Sequence, residues 1–218
     1  MTRQLRRLLL LLLVAIGLAS PLAARQAQAA DFDFYVLSLS WSPSWCSTND
    51  RGGRTAQCNG NRRYGFIAHG LWPQSRRGWL QDCASNEPDR VPDSLARSYF
   101  DIIPSAGLAG HEWRKHGTCS GLSQPNYFRA LRSAYANVIV PPVVFNGSLD
   151  RRLATDQIEQ LFMTANPGLT KDAIAVACDG GQLSEIRICM SRGFGFVACP
   201  DVDRRACRQR FVSIPAIR

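Results

Sequence analysis

The chain contains three histidines, and all fall in two short segments: Phe66-Ile67-Ala68-His69-Gly70-Leu71-Trp72-Pro73 and His111-Glu112-Trp113-Arg114-Lys115-His116-Gly117-Thr118-Cys119. An unperturbed imidazole titrates near neutral pH, so it can both take and give a proton there. The second segment adds a carboxylate, Glu112, and an ammonium, Lys115. That set suits a reaction in which protons move while a phosphate accumulates negative charge. On a helix at about 100° per residue, Lys115 falls about 40° from His111, Glu112 about 100° and His116 about 140°. The spacing therefore predicts one arc for all four ionisable groups, with Trp113 and Arg114 on the other side. A solvated amphipathic helix would be the ordinary reading of one histidine. Two histidines with Glu and Lys, and a third on a strand ending in Gly-Leu-Trp-Pro, point to a site.

The elements that must carry these groups can be read from periodicity. Phe32 to Trp41 alternates, with Phe32, Phe34, Val36 and Ser38 on one side and Tyr35, Leu37, Leu39 and Trp41 on the other, which predicts a strand. Residues 42–63 are rich in Ser, Gly, Asn and Arg and read as a surface loop. Tyr64 to Leu71 reads as a second strand that places His69 near its end, with Pro73 stopping it. Pro88 to Tyr99 opens with turn residues and leads into a short helix. A helix is expected over His111 to Cys119, closed by Gly117, and another over Gln124 to Asn137. Thr155 is expected to cap a helix from Asp156 to Ala165, ended by Asn166-Pro167-Gly168. Ala173 to Cys178, the turn Asp179-Gly180-Gly181 and Leu183 to Met190 predict a hairpin, and Phe194 to Cys199 one more strand. Strands mixed with separate helices imply an α+β domain: an antiparallel sheet core flanked by helices.

Composition bounds the setting. Arg3, Arg6 and Arg7 precede an unbroken apolar run from Leu8 to Leu18, and Ala27-Gln28-Ala29 has the small-x-small form of a cleavage site. Residues 1–29 thus read as a cleaved signal peptide and 30–218 as one catalytic-sized domain. The run is about half the roughly 20 residues that span a bilayer, so no membrane anchor is expected once the leader is removed. The rest of a twin-arginine export motif is missing. The formal charge of +9 includes four leader arginines, and the remainder, +5, is compatible with a polyanionic substrate. Eight cysteines, Cys46, Cys58, Cys83, Cys119, Cys178, Cys189, Cys199 and Cys207, form an even set in an exported chain and read as disulfides. No C-x-x-C pair suggests zinc or redox work. The His-Glu-x-x-x-His spacing differs from the zinc-peptidase H-E-x-x-H, which sets its imidazoles about 40° apart. No G-x-S-x-G nucleophile elbow is present. Neither a metal nor another cofactor is expected. Asn146-Gly147-Ser148 is a glycosylation sequon.

The two histidine segments resemble the two active-site signatures of the ribonuclease T2 family, in the same order, and the likeness extends from about Phe32 through Cys207. The resemblance implies a periplasmic or secreted bacterial member that cleaves RNA without a metal. The ribose 2′-OH attacks phosphorus to give a 2′,3′-cyclic phosphate, which can be hydrolysed to a 3′-phosphate. It implies His116 as the base on the 2′-OH, His69 as the acid at the 5′-oxygen, His111 as a phosphate ligand, and Glu112 and Lys115 as stabilisers of the transition state. Trp72 would stack a base or wall the pocket. Gln74 stands where several members carry Asp to help read the first base, which leans toward low base specificity. The family suggests the pairings Cys83–Cys119, Cys178–Cys207, Cys189–Cys199 and Cys46–Cys58. The partner would be RNA, single-stranded by preference, with DNA uncut for want of a 2′-OH, and the protein is expected to be a monomer. The competing reading is a non-catalytic RNA-binding or cell-surface protein that keeps the fold. Such a protein would need basic and aromatic groups but not an acid, a base and a cation together.

Overall fold

The computed structural model describes residues 31–76, 78–142 and 149–217. The predicted leader and the Asn146-Gly147-Ser148 sequon lie outside them. In chain order the elements are β1 (Phe34–Trp41), α1 (Ser42–Asn49), α2 (Ala56–Asn59), β2 (Phe66–Gln74), α3 (Asp93–Arg97), α4 (Ala106–Lys115), a 3₁₀ turn (Gly117–Ser120) and α5 (Gln124–Ala136). They continue with β3 (Arg151–Ala154), α6 (Thr155–Ala165), β4 (Ile174–Asp179), β5 (Gln182–Met190), α7 (Pro200–Asp203) and β6 (Phe211–Ile214).

Among the described residues the strands form one sheet in the order β2-β1-β5-β6-β3, with β4 paired to β5. The pairs are antiparallel except for β5 with β6, which meet in parallel at Gln182 and Ser213. The α+β architecture stands, with a mixed rather than purely antiparallel sheet. Within β1 alternation sorts the two faces as its sequence predicts, but Phe32, grouped there with Phe34 and Val36, precedes the strand and joins the main core beside Tyr35. Tyr35, Leu37, Leu39 and Trp41 join the main core with Trp113, Tyr127, Phe128, Leu131 and Phe162 of the helices. Phe34 and Val36 face a smaller cluster with Trp72, Cys189 and Val202.

Four disulfides join Cys46–Cys58, Cys83–Cys119, Cys178–Cys207 and Cys189–Cys199, the pairings the family resemblance implied. Several expected boundaries move. Residues 42–49 are helical rather than a loop: Pro43 near the helix start and a bridge at Cys46 hold them on the end of β1. Strand β2 runs through Pro73 to Gln74, because it is an edge strand whose outer side lacks a strand partner; Ala68 instead donates to the Ile102 carbonyl and the Tyr127 hydroxyl to the Leu71 carbonyl. Ala154, not Thr155, occupies the N-cap of α6. The segment from Phe194 to Cys199 makes one isolated bridge, Met190 with Phe196, rather than a strand. Strands β3 and β6 are short and carry exposed residues, too brief for alternation to reveal.

Candidate active site

His69 sits at a break in strand register. Ser38 on β1 opposes Gly70, while the next residue, Leu39, opposes Ala68, so His69 is the extra residue of a β-bulge. A bulge bends the strand and re-aims the unpaired side chain. Here it directs the imidazole toward β5, where Nδ1 lies 2.5 Å from Glu185 Oε1. Its Nε2 lies 3.4 Å from Glu112 Oε1.

Helix α4 starts at Ala106, with the Ser105 hydroxyl accepting from the Leu108 amide, and ends at Lys115. It buries Glu112 and Trp113 side by side, and leaves His111 and Arg114 exposed. The arc predicted for a continuous helix is therefore not the one formed. His116 has left the helix, at φ −124°, and a 3₁₀ turn follows. That departure swings the imidazole onto Trp72, at 5.0 Å between centroids and 30° between planes. Gly117 closes the helix by permitting close approach rather than by a left-handed turn: a Cβ there would lie 2.4 Å from the Trp113 ring. The Asp82 amide donates to the Lys115 carbonyl, and Cys83–Cys119 ties the loop after β2 to the 3₁₀ turn.

Trp72 is the hub. Its indole N–H donates to Glu112 Oε2 at 2.8 Å, His69 meets it edge-on at 5.6 Å, and the Arg187 guanidinium lies 5.4 Å from its ring centroid. Trp72 is buried, with its indole N–H taken by Glu112 and its ring packed against the His69 and His116 imidazoles. Gly70 makes the arrangement possible, because a Cβ there would fall 1.9 Å from Glu112 Oε2 and 2.5 Å from Trp72 Nε1.

The environments push the two central imidazoles apart. Burial opposes a charge on His69, but the hydrogen bond and charge of Glu185, with the charge of Glu112, outweigh it and raise its pKa. Burial and the positive charges of Lys115, His69 and His111 push His116 down to about 3. His116 Nδ1 is buried without a hydrogen-bond partner among the described residues. His111, half-exposed with Nε2 4.0 Å from Glu112 Oε1, is lowered by burial and by Lys115. Burial raises Glu112, against the pull of His69 and the Trp72 N–H. Of the five ionisable groups named from the sequence, His69, Glu112 and His116 meet Trp72, His111 approaches Glu112, and the charge of Lys115 acts on His111, His116 and Glu112.

Two participants were not read from the sequence: Glu185 and Arg187. Arg187 donates to Glu185 Oε2 from Nε at 2.9 Å and Nη2 at 2.8 Å, while Oε1 holds His69. Burial alone would raise the Glu185 carboxyl, but His69 and Arg187 hold it down at about 2. The available signal was a Glu and an Arg alternating on a strand that is otherwise buried there.

Cavities open toward the two ends of β2. One of about 240 Å³ borders His69 and Glu185 and is lined by Ser40, Trp45, Gln57 and Leu108 among others. The other, about 340 Å³, is lined by Gln74, Trp79 and Arg205. Gln74 is buried; its Oε1 accepts from the Leu80 amide at 3.4 Å, and its amide nitrogen has no partner among the described residues. Trp79 is exposed on this rim under the Arg205 guanidinium, 4.3 Å from its ring centroid. Among the described residues no group of three His, Cys, Asp or Glu could hold a metal ion.

A family model described as the Ribonuclease T2 family matches residues 32–199. A ribonuclease of Aeromonas hydrophila is 40% identical over 121 residues, which span 55% of this chain and 52% of that protein. A probable ribonuclease of Haemophilus influenzae is 28% identical over 186 residues, 80% of this chain and 63% of that protein. The chain thus matches between half and two thirds of the length of these relatives. Among solved structures, an RNase-related protein from Calystegia sepium superposes with a TM-score of 0.69 at 20% identity, covering 86% of this chain and 99% of that one. RNase NT, solved in complex with 5′-AMP, gives 0.63 at 23% identity, covering 86% and 100%. At such identities these two likenesses speak to the fold.

Proposed function

The chain belongs to the ribonuclease T2 family, and from that premise we propose that it is an exported endoribonuclease of low base specificity that cuts RNA by 2′-OH transesterification. One observation carries the reading. Two imidazoles bracket a single buried tryptophan, and their surroundings drive their proton affinities in opposite directions. Such a pair is already sorted into acid and base. His116, neutral, takes the proton of the 2′-OH as that oxygen attacks phosphorus. His69, protonated through Glu185, gives its proton to the departing 5′-oxygen. Lys115 and His111 offset the charge that builds on the phosphoryl oxygens, and Glu112 holds the Trp72 indole N–H while His69 Nε2, not held by Glu185, is the nitrogen that delivers the proton. Water can then open the 2′,3′-cyclic phosphate with the two histidines in exchanged roles, leaving a 3′-phosphate. No step calls on a metal.

A base with a pKa near 3 is weak in the empty site. A bound phosphodiester brings a negative charge among Lys115, His69 and His111, which raises the proton affinity of His116 when the reaction needs it. The leaving nucleoside belongs in the cavity beside His69, and the nucleoside that supplies the 2′-OH belongs toward Gln74 and Trp79. Gln74 offers an amide, with both a donor and an acceptor, where a carboxylate would only accept; this supports weak base selection. The four disulfides fit an oxidising compartment outside the cytosol. Among the described residues no helix is long and apolar enough to cross a membrane.

The test is incubation of the oxidised protein with a short RNA and its all-DNA counterpart in EDTA, with products read by mass. The expected result is RNA fragments ending in 2′,3′-cyclic phosphate and intact DNA. No cleavage by folded protein, with RNA still bound, would turn the reading to a binding module.

A further inference from the structure

Strand β5 sets Glu185 and Arg187 two residues apart, so both side chains stand on the sheet face that carries His69 and Trp72. The residues opposite them are small: Ser38 of β1 and Ala175 of β4 oppose Arg187, and Ser40 and Ala177 oppose Glu185. The guanidinium therefore has room to lie along its own strand. Its Nε and Nη2 both donate to Glu185 Oε2, at 2.9 Å and 2.8 Å, while Oε1 of the same carboxylate meets His69 Nδ1. The contacts close a ring: His69 to Glu185, Glu185 to Arg187, Arg187 to the Trp72 indole, Trp72 to Glu112, and Glu112 back to His69. The proton transfers described above leave Arg187 without a part.

The charge of Arg187 acting directly on His69 opposes a proton there. Any help it gives the acid must therefore run through Glu185. That carboxylate is buried, and among the described residues Arg187 is the donor that Oε2 has. A buried anionic oxygen stripped of its donor is costly, so the carboxyl would turn or take up a proton. A protonated carboxyl donates to Nδ1 instead of accepting from it, which puts the proton of a neutral His69 on Nε2. We propose that Arg187 is a positioning residue for RNA cleavage: its paired N–H groups clamp the Glu185 carboxylate so that Oε1 accepts from His69 Nδ1 and Nε2 is left to deliver the proton. The proposal rests on the endoribonuclease reading above.

The test is a double-mutant cycle on kcat and KM for a dinucleoside monophosphate at neutral pH, with Arg187→Met, Glu185→Gln and the two combined. Arg187→Met is expected to lower kcat about tenfold and to leave KM within about twofold, as for a group that does not touch substrate. In the Glu185→Gln background the same change should cost no more than about twofold, because the carboxylate it acts through is already gone. Nitrogen NMR shifts of the neutral His69 ring, read at alkaline pH, should report Nδ1–H in the wild type and move toward Nε2–H in Arg187→Met. Should Arg187→Met fold poorly, Arg187→Lys decides: it keeps the charge but loses the paired fork, and should show about a threefold loss of kcat with a ring shift in the same direction. Losses that multiply in the cycle, a raised KM, or unmoved ring shifts would overturn the positioning role and leave the enzymatic reading standing. If the wild-type protein cleaves no RNA, the enzymatic reading itself falls, and this proposal with it.

Discussion

At the scale of the residue, the decisive contact is the one between His69 and Glu185. A histidine on a strand would ordinarily be half-protonated near pH 6.5; with Glu185 on Nδ1 it holds its proton to higher pH than that. Glu185 is a positioning residue in this account, since it acts through the imidazole. Glu185→Gln should therefore move the alkaline limb of the kcat/KM profile to lower pH and cut the rate at neutral pH about tenfold. A titration of the His69 ring by NMR should show the same shift; an unmoved pKa with an unmoved limb would deny Glu185 this role. His116 sets the other limb. It must be neutral to accept the 2′-OH proton, so kcat/KM should hold well into acid, where the free site keeps the imidazole deprotonated. The limb in kcat should lie at higher pH, because the bound phosphate stabilises the charged ring. His116→Ala should lower kcat by about 10²–10⁴ with little loss of RNA affinity. Gly70→Ala acts on the same centre from the backbone side. Its methyl would occupy the place of the Glu112 carboxylate, so the Trp72–Glu112 hydrogen bond must break or the strand must move. The expected cost is about 1–3 kcal/mol in stability, read by denaturant unfolding, together with a large fall in kcat.

At the scale of the element, the site is a junction of strand edge and helix end. Edge strand β2 brings His69 and Trp72, and α4 brings Glu112 and then breaks so that His116 can reach the indole. The Cys83–Cys119 bridge fastens the loop after β2 to the turn after α4, closing a 36-residue separation. Replacing both cysteines by Ala should cost about 2–4 kcal/mol of stability and also lower kcat, because the turn that aims His116 loses its tie. The Cys178–Cys207 bridge links β4 to the segment before β6 and touches none of the catalytic groups; its removal should lower stability with kcat largely kept. Paired thermal melts and single-turnover rates on the two variants check the contrast. Equal losses of rate would mean that the Cys83–Cys119 tie has no special bearing on the site.

At the scale of the whole molecule, the same groups link folding to pH. His116 binds its proton at about 3 when folded and near 6.5 when unfolded, so the unfolded state takes up the proton first. Stability contributed by keeping this ring neutral is complete above about 6.5 and falls as pH drops toward 3. Glu185 works further down: its contribution is present above the ordinary 4.5 and is lost as pH falls through about 2. His69, raised on folding, contributes below 6.5 and loses that contribution as pH climbs through its folded value. A His116→Asn variant should therefore lose less Tm between pH 6.5 and 4.5 than the wild type, as melts across that interval would show.

The sequence by itself determined more of the chemistry than of the framework. All three histidines were confined to two short segments, one of which also carries Glu112 and Lys115, and residue type alone limits which groups can exchange protons at neutral pH. Alternation in β1 sorted its two faces correctly because one face meets the helical core and the other a smaller apolar cluster. Local pattern could not show the bulge at His69, since register depends on a partner strand far away in sequence. It did not show that the helix ends before His116, whose ring packs on Trp72 of a strand far away in sequence. It did not reveal Glu185 and Arg187, whose importance comes from facing His69 and Trp72 across the sheet rather than from any motif. Tertiary structure alone decided the opposite protonation of the two imidazoles. That difference arises from burial and from charges brought together over long sequence distances, so the sequence supplied the groups and the fold set their proton affinities apart.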